Sequence, residues 1–168
     1  MNTATFPGTD VTVSRLGFGC MRLPVIEKDG EKLIDEPYAI DMSEMLMRAY
    51  ELGVNYFDTA YPYHGGASEL VVAKALADGY REKVVLATKL PVWLVETEED
   101  LDKYLDEQLK KLNTDHIDFY HFWGINRGSF DDIIIGENIL EAAAKAKEEA
   151  QKAAEARAKA KEEKKTKK

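Results

Sequence analysis

The stretch VVLATK (residues 84–89) is a short apolar run that ends in a lysine. Its length and its valines predict a strand buried on both faces, as in a parallel sheet, and Pro91 predicts that the strand stops at Lys89. A second run, VNYF (residues 54–57), predicts another buried strand, which ends at Asp58. We therefore expect two neighbouring strands whose ends carry side chains of opposite charge.

Helical patterns alternate with these strands. Apolar residues recur every three or four positions in three stretches, which predicts amphipathic helices. The predicted helices cover residues 40–52, 68–78 and 98–112, with Ser68 and Thr97 as expected N-caps, and a fourth begins near Ile139. Further strands are predicted at residues 16–21 and 117–122. Four strand–helix alternations are typical of a parallel sheet with right-handed crossovers.

The N-terminal residues predict a small cap on this sheet. Two β-prone pieces, Thr3–Phe6 and Val11–Ser14, flank the turn sequence PGTD, a pattern typical of a hairpin. Residues 24–37 combine charges with proline and glycine, and we expect a long loop there.

The length of the chain limits the architecture. A closed (β/α)8 barrel takes about 250 residues, and the 168 residues here are too few for eight strand–helix units. We expect an α/β fold of about four such units, half of a (β/α)8 TIM barrel, with an N-terminal hairpin and a long C-terminal helix. Residues 1–140 would form the partial barrel. Residues 141–168, rich in alanine, lysine and glutamate, would extend the last helix as a charged, solvated segment.

Composition and charge exclude several classes of function. The formal net charge is −8, and residues 141–168 hold ten Lys or Arg against six Glu, so the rest of the chain is strongly acidic and unsuited to nucleic acid. With neither a membrane-span pattern nor a signal-peptide pattern, we expect a cytoplasmic protein that binds no membrane. The single cysteine, Cys20, excludes a disulfide framework and a cysteine-rich metal or iron–sulfur site, and we expect no metal.

Three side chains suggest acid–base chemistry at the carboxyl ends of the strands, where (β/α) barrels carry their catalytic groups. Asp58 and Lys89 end consecutive strands, and Tyr63 follows five residues after Asp58 in a loop. A nearby ammonium group stabilises a phenolate, which makes Tyr63 a candidate proton donor. The alternative is an ordinary structural ion pair beside a loop tyrosine.

Four segments, in this order, carry a resemblance to a known family: VSRLGFGCMRLP, GVNYFDTAYPYHGGASE, VVLATKLP and LDEQLKKLNTDHIDFYHFWGIN. Over roughly residues 11–149 the sequence resembles the N-terminal half of an aldo/keto reductase. That family consists of oxidoreductases that reduce aldehydes and ketones with NADPH, without a metal, on an eight-stranded (β/α) barrel. The resemblance implies that Asp58, Tyr63 and Lys89 are three members of the family's catalytic tetrad.

The fourth member of that tetrad, a histidine, is replaced. The family pattern puts it at the position of Trp123, and His121 stands two residues earlier. In a regular strand these two side chains point to the same side and lie about 6–7 Å apart, so His121 is the candidate catalytic substitute. The alternative is an interior histidine with a structural role.

The resemblance also implies binding residues. The nucleotide would be contacted at the ends of the first two strands, by Gly19, Cys20, Met21 and Asp58. The family's later strands, which supply much of the adenosine-phosphate site, are not matched. Aromatic side chains would line the substrate pocket, suited to a flat apolar carbonyl compound: Phe18, Tyr61, Trp93 and Trp123. Ordinary barrel packing is the alternative for each ring.

Two hypotheses about function remain. In the first, the chain is an aldo/keto reductase that binds NADPH and a small carbonyl substrate, and two copies close one barrel as a homodimer. In the second, it is a catalytically inactive, truncated or engineered half-barrel that acts as a self-assembly module. The missing histidine and the unmatched half of the barrel leave open whether the chain is itself an enzyme. Binding of NADPH distinguishes the two hypotheses.

Overall fold

The computed structural model describes residues 1–29, 31–33 and 36–131, with the isolated positions 135, 141, 144, 145, 148 and 152. Most of the helix predicted from near Ile139 and of its charged extension lies outside the described residues. The last five of the isolated positions are helical. Ion pairs join Lys145 to Glu141 and Lys152 to Glu148 over 3.7 and 3.4 Å. The domain boundary expected at residue 140 stays a prediction.

Short strands and longer helices make up the described part of the chain. The strands are β1 (Thr3–Thr5), β2 (Thr12–Ser14), β3 (Phe18–Gly19), β4 (Ile26–Lys28), β5 (Glu31–Leu33), β6 (Tyr56–Asp58), β7 (Val85–Pro91) and β8 (Phe119–Trp123). The helices are α1 (Glu36–Glu51), α2 (Ala67–Ala75), α3 (Glu98–Leu112) and the single turn α4 (Arg127–Ser129). Turns of 3-10 helix span Tyr63–Gly66, Arg81–Lys83 and Val92–Leu94.

One parallel sheet organises the molecule. Its strands are hydrogen-bonded in the order β3, β6, β7, β8, and helices α1, α2 and α3 lie in the successive connections. Phe57 of β6 lies opposite Leu86 of β7, and Lys89 of β7 lies opposite His121 of β8. The predicted α/β fold with a parallel sheet is therefore confirmed.

The hydrophobic core lies between one face of this sheet and the helices. Phe57 and Leu86 are fully buried on that face, against Leu46 of α1 and Val72 of α2. A second, smaller cluster links β7 to the start of α3 and consists of Leu90, Val92, Val95 and Leu101. Burying one such side chain stabilises the fold by about 1.5–3 kcal/mol. The apolar periodicity of each helix thus decides which of its faces meets the sheet.

The N-terminal hairpin is confirmed. Strands β1 and β2 pair antiparallel, with Ala4 opposite Val13. Phe6 follows β1 and packs on the sheet face opposite to the core, its ring 4.5 Å from that of Phe119 and 6.3 Å from that of Tyr56. The hairpin therefore covers the amino ends of β6 and β8.

The prediction of a long loop over residues 24–37 is wrong. Strands β4 and β5 form a small antiparallel hairpin there, and α1 begins at Glu36 instead of Ile40. Asp29, with φ 54°, supplies the left-handed residue of the turn. Pro37 lies in the first turn of α1, where the amide hydrogen that proline lacks would have no helical partner. Strand β7 also continues two residues past its predicted end, through Pro91.

The predicted bounds of α2 are wrong as well. Gly66, with φ 93°, precedes this helix, which ends at Ala75 instead of residue 78. Ser68 is therefore not the N-cap. Its buried hydroxyl donates to the Cys20 carbonyl oxygen over 3.1 Å and lies 2.9 Å from the Thr59 hydroxyl. The serine joins α2 to the loops after β3 and β6.

Helix α3 has its predicted bounds. Thr97 is the N-cap, and the Asp100 carboxylate accepts the amide hydrogens of Glu96 and Thr97 at 3.0 and 3.2 Å. Asn113 ends the helix in the left-handed conformation, with φ 49°. Among the described residues, no helix has the length and apolarity needed to cross a membrane.

Candidate active site

Asp58 and Lys89 meet at the carboxyl ends of β6 and β7. Asp58 is the last residue of β6 and lies opposite Ala87, and Lys89 follows two residues further along β7, on the same face. Lys89 Nζ donates to Asp58 Oδ1 over 2.6 Å and to the Thr59 carbonyl oxygen over 2.7 Å. The adjacent strand ends therefore bring the two predicted side chains into direct contact.

Tyr63 joins this pair from the loop after β6. It opens the 3-10 turn Tyr63–Gly66, and 8% of its surface is exposed. Lys89 Nζ lies 5.0 Å from the centroid of its ring, a distance typical of a cation–π contact. In the part of the chain that the structure describes, the ammonium hydrogen-bonds Asp58 and Thr59, and it meets Tyr63 at the ring. A carboxylate, an ammonium group and a phenol thus converge at one point, as the sequence predicts.

The Asp58–Lys89 pair is largely withdrawn from water. The Asp58 side chain is 30% exposed and the Lys89 side chain 14%. Because water solvates these charges less than it solvates charges at the surface, each of them relies more on the other for stabilisation. Burial and then the charge of Asp58 raise the pKa of Tyr56. Burial and the same carboxylate raise the pKa of Cys20 to about 12, against the opposing charge of Lys89. The Cys20 thiol therefore stays protonated at neutral pH and is a poor nucleophile.

Two tryptophans extend the site outward from Tyr63. The Trp123 ring meets the Tyr63 ring edge to face at 5.5 Å, and Trp93 packs on Trp123 at 4.9 Å. Gly124 makes room for these two rings, since a Cβ at this position would lie 2.7 Å from the Trp93 ring. Trp93 is 51% exposed and forms the rim. Of the two predicted pocket tryptophans, Trp123 thus lies against the candidate proton donor, and Trp93 lies beyond it on Trp123.

Two other predicted pocket residues lie elsewhere. Tyr61 turns toward α3, where its hydroxyl donates to Glu107 Oε2 over 2.8 Å and its ring meets Tyr104 at 5.3 Å. The hydrogen bond to Glu107, together with burial, raises the pKa of Tyr61 to about 12. Phe18 packs into the core with its ring 5.9 Å from that of Phe57. The prediction that these two rings line the mouth is wrong, because α3 and the core offer them closer partners.

His121 lies lower on the same sheet face. It is exposed and stands opposite Lys89 in the register, and its Nε2 atom is 3.5 Å from the Tyr56 hydroxyl. Its ring stacks on Phe119 at 6.5 Å. Its ring thus meets the side chains of Tyr56 and Phe119. Its catalytic role stays a prediction.

The predicted nucleotide-binding residues fall into two groups. Gly19 lies beside Asp58 in the β3–β6 register, with open space where a Cβ would be, and Met21 is half exposed. Cys20 is fully buried in the core, and its amide donates to the Asp58 carbonyl oxygen over 2.8 Å. A direct nucleotide contact by the Cys20 side chain is therefore contradicted, because the thiol faces the core.

Two further residues of this site are not predicted from the sequence. The Thr59 carbonyl oxygen accepts from Lys89, and Gly124 (φ 81°) admits the Trp93 ring. A glycine two residues after a predicted strand was the available signal for Gly124. Within the described ranges, no three His, Cys, Asp or Glu side chains are grouped as a metal site requires.

Comparison with known proteins links the chain to one family. A sequence profile of the aldo/keto reductase family matches residues 15–158. An uncharacterized oxidoreductase of Bacillus subtilis, YqkF, is 33% identical over 150 residues, which cover 84% of this chain and 43% of that protein. L-Galactose dehydrogenase of Arabidopsis thaliana is 32% identical over 154 residues, covering 85% of this chain and 44% of the dehydrogenase.

Solved structures give the same result. The holo form of aldo-keto reductase AKR11C1 from Bacillus halodurans superposes with a TM-score of 0.71 at 30% identity. The match covers 89% of this chain and 47% of the reductase. The chain thus spans less than half the length of these three proteins.

Proposed function

Because the chain belongs to the aldo/keto reductase family, we propose that it carries the proton-donating site of an NADPH-dependent oxidoreductase that reduces aldehydes or ketones. One observation carries the proposal: Asp58, Lys89 and Tyr63 converge at the carboxyl edge of a parallel sheet. This edge is where barrels of this kind hold catalytic groups. The comparisons give no support to the alternative of a non-catalytic assembly module.

The proposed reaction needs a proton and a hydride. Tyr63 holds the proton on its hydroxyl and gives it to the carbonyl oxygen of the substrate as that oxygen becomes an alcohol. The Lys89 ammonium, 5.0 Å from the Tyr63 ring centroid, stabilises the phenolate that remains. Asp58 and the Thr59 carbonyl oxygen fix the position of the ammonium group.

NADPH is the proposed cofactor. When bound, its nicotinamide ring supplies the hydride to the carbonyl carbon. The open space at Gly19, next to Asp58, fits a flat ring that approaches the backbone closely. Gly19, Met21 and Asp58 are the residues of the described part that would contact it.

The substrate is proposed to be a flat, apolar carbonyl compound. Trp123 and Trp93 supply an aromatic wall that starts at Tyr63 and ends in solvent. We assign to His121 the orientation of the substrate from below, since it shares the sheet face of Lys89. His121→Ala tests this assignment, which fails if KM and kcat both stay at their original values.

A homodimer is the proposed assembly. β3 and β8 are the edge strands of the described parallel sheet, and the sheet face opposite to the core carries the partly exposed rings of Tyr56, Phe119 and Trp123. Pairing of β8 in one copy with β3 in another, about a twofold axis, would cover these rings and leave no edge. A monomeric mass by light scattering at micromolar concentration would refute the dimer.

Titration with NADPH, and separately with NADH, tests the proposed function. Binding is followed by nucleotide fluorescence, and reduction of an aromatic aldehyde by loss of reduced nucleotide. Tyr63→Phe should abolish reduction and keep nucleotide binding, while the control Tyr50→Phe, a change in α1, should alter neither. Absence of binding at high micromolar nucleotide, or unchanged turnover in Tyr63→Phe, would overturn the proposal.

A further inference from the structure

A buried polar cluster lies behind β7, on the helix side of the sheet. Glu69 of α2, Thr88 of β7 and Gln108 of α3 each have 0% exposure. Oε1 of Glu69 accepts from the Thr88 hydroxyl over 2.8 Å and from the Gln108 amide over 2.6 Å. A carboxylate so far from water is strongly unfavourable unless a cation pairs with it.

Lys111 of α3 supplies that cation. Its Nζ atom lies 2.7 Å from Glu69 Oε2. It also donates to the Tyr61 carbonyl oxygen over 3.3 Å and lies 4.5 Å from the centroid of the Tyr61 ring. A Cβ at Gly66 would come within 3.4 Å of the same nitrogen. The ammonium group thus lies between α2 and the loop of residues 59–66, with 22% of the lysine side chain exposed.

This loop carries the candidate proton donor. Tyr63 lies two residues after Tyr61, and its amide donates to the Ala60 carbonyl oxygen over 3.1 Å, a bond within the loop. Lys111 and Glu107 hold Tyr61 from α3, one at the backbone and one at the hydroxyl. Contacts with α3 therefore fix the loop relative to the rest of the molecule.

The same cluster also reaches the strand that carries the ammonium group of the site. The Gln108 amide donates to the Lys89 carbonyl oxygen over 3.3 Å, and Tyr120 of β8 donates to Gln108 Oε1 over 2.7 Å. One connected set of polar groups therefore touches the loop that holds Tyr63 and the backbone of Lys89.

We propose that the Glu69–Lys111 ion pair positions the proton donor by holding the 59–66 loop at a fixed height over β7, so that Tyr63 stays above Lys89. Lys111 is a positioning residue, because it acts on Tyr63 through the loop and lies behind the sheet. Its effect on turnover rests on the proposed function. Its effect on the loop does not.

Three variants separate positioning from simple stability. Lys111→Met leaves Glu69 buried without a cation and tests the pair most severely. The double variant Glu69→Gln/Lys111→Met leaves no unpaired charge, so it can be studied where the single variant does not fold. It also removes the hydrogen bond from Lys111 to the Tyr61 carbonyl oxygen. Lys111→Arg keeps a positive charge at this position and is the charge-retaining rescue.

Hydrogen–deuterium exchange of the full chain measures the loop directly. In the double variant we expect peptides that cover residues 59–66 to exchange about tenfold faster, the size expected for losing a hydrogen bond from a charged group. Peptides from β7 should exchange as in the original protein, and Lys111→Arg should stay within about twofold throughout. An unchanged loop in the double variant would overturn the inference.

Arg81→Met is the matched control. Arg81 is another cation, bonded to Asp118 over 2.8 Å and to the Val84 carbonyl oxygen over 3.2 Å, at the amino ends of β7 and β8. Its loss should speed exchange near those residues and not selectively in the 59–66 loop. Equal, loop-selective loosening by Arg81→Met would also overturn the inference.

Turnover gives the second readout. The double variant should lower kcat for carbonyl reduction by roughly 10- to 100-fold, the cost of a small misplacement of a reacting group, with the nucleotide KM unchanged. Lys111→Arg should restore kcat. The two readouts can also disagree. If the 59–66 loop exchanges faster in the double variant but no form of the chain reduces carbonyls, the proposed function is refuted and the role of Lys111 in holding the loop is supported. If the double variant keeps full activity although its loop exchanges faster, only the positioning of Tyr63 by Lys111 is refuted.

Discussion

Replacing Lys89 by methionine measures what the central ion pair contributes. Methionine keeps much of the apolar stem and removes the ammonium group, so Asp58 Oδ1 and the Thr59 carbonyl oxygen lose a donor at 2.6 and 2.7 Å. Breaking a fully buried pair costs about 3–5 kcal/mol, and a hydrogen bond to a charged group contributes about 1.5–3 kcal/mol. Because the Asp58 side chain is 30% exposed, water replaces part of the lost solvation. We expect the free energy of unfolding to fall by about 2–3 kcal/mol.

Urea denaturation followed by circular dichroism gives this free energy. Asp58→Asn and the double variant Asp58→Asn/Lys89→Met complete a cycle, and the double variant should regain most of the loss because no unpaired charge remains. Arg48→Met is the surface control. It breaks the ion pair between Arg48 and Glu51, whose side chains are 67% and 60% exposed. The free energy of unfolding should change by less than about 0.5 kcal/mol. A coupling energy below about 0.5 kcal/mol for Asp58 and Lys89 would refute the reasoning.

Three further outcomes are expected. Gly124→Ala puts a Cβ 2.7 Å from the Trp93 ring at φ 81° and should lower the unfolding free energy by about 1–3 kcal/mol, whereas Gly19→Ala, with open surroundings, should not. Burial and the charge of Asp58 raise the pKa of Cys20 to about 12, so iodoacetamide should label this thiol at about pH 8.5 only in unfolded chains. Equal labelling rates in folded and unfolded chains would contradict this. The amides of Glu96 and Thr97 lower the pKa of Asp100, so the stability it contributes is present above its unfolded pKa of about 3.9 and is lost as pH falls through the lower folded value. Asp100→Asn should therefore lower Tm at about pH 7, and this difference should shrink as pH falls through the folded pKa of Asp100.

The sequence predicts most of the architecture because its signals are local. Apolar runs such as VVLATK are short and contain β-branched valines, which favours buried strands of a parallel sheet, and α3 combines an N-cap threonine with a regular apolar face. The convergence of Asp58 and Lys89 follows from the same logic, since the ends of adjacent parallel strands lie at one edge. The short hairpin β4–β5 was missed because residues 24–37 combine charges with proline and glycine, a composition that favours a loop.

Side-chain directions in the loops could not be predicted, because distant partners decide them. Tyr61 and Tyr63 are two residues apart, and one meets Glu107 of α3 while the other meets Trp123 of β8. Glu69 gives no sign in the sequence that it is buried, since an acidic residue in the first turn of a helix is ordinarily solvated. Its ion pair with Lys111 brings together residues far apart in the chain.

The strand order β3, β6, β7, β8 follows the order of the chain. Each strand can therefore be added to its predecessor as soon as the intervening helix has formed, without waiting for a later segment. Contacts between successive strands close shorter loops than contacts between distant strands would, which lowers the entropy cost of each pairing. A chain emerging from a ribosome can pair β7 with β6, and so bring Lys89 to Asp58, before β8 has left the ribosome.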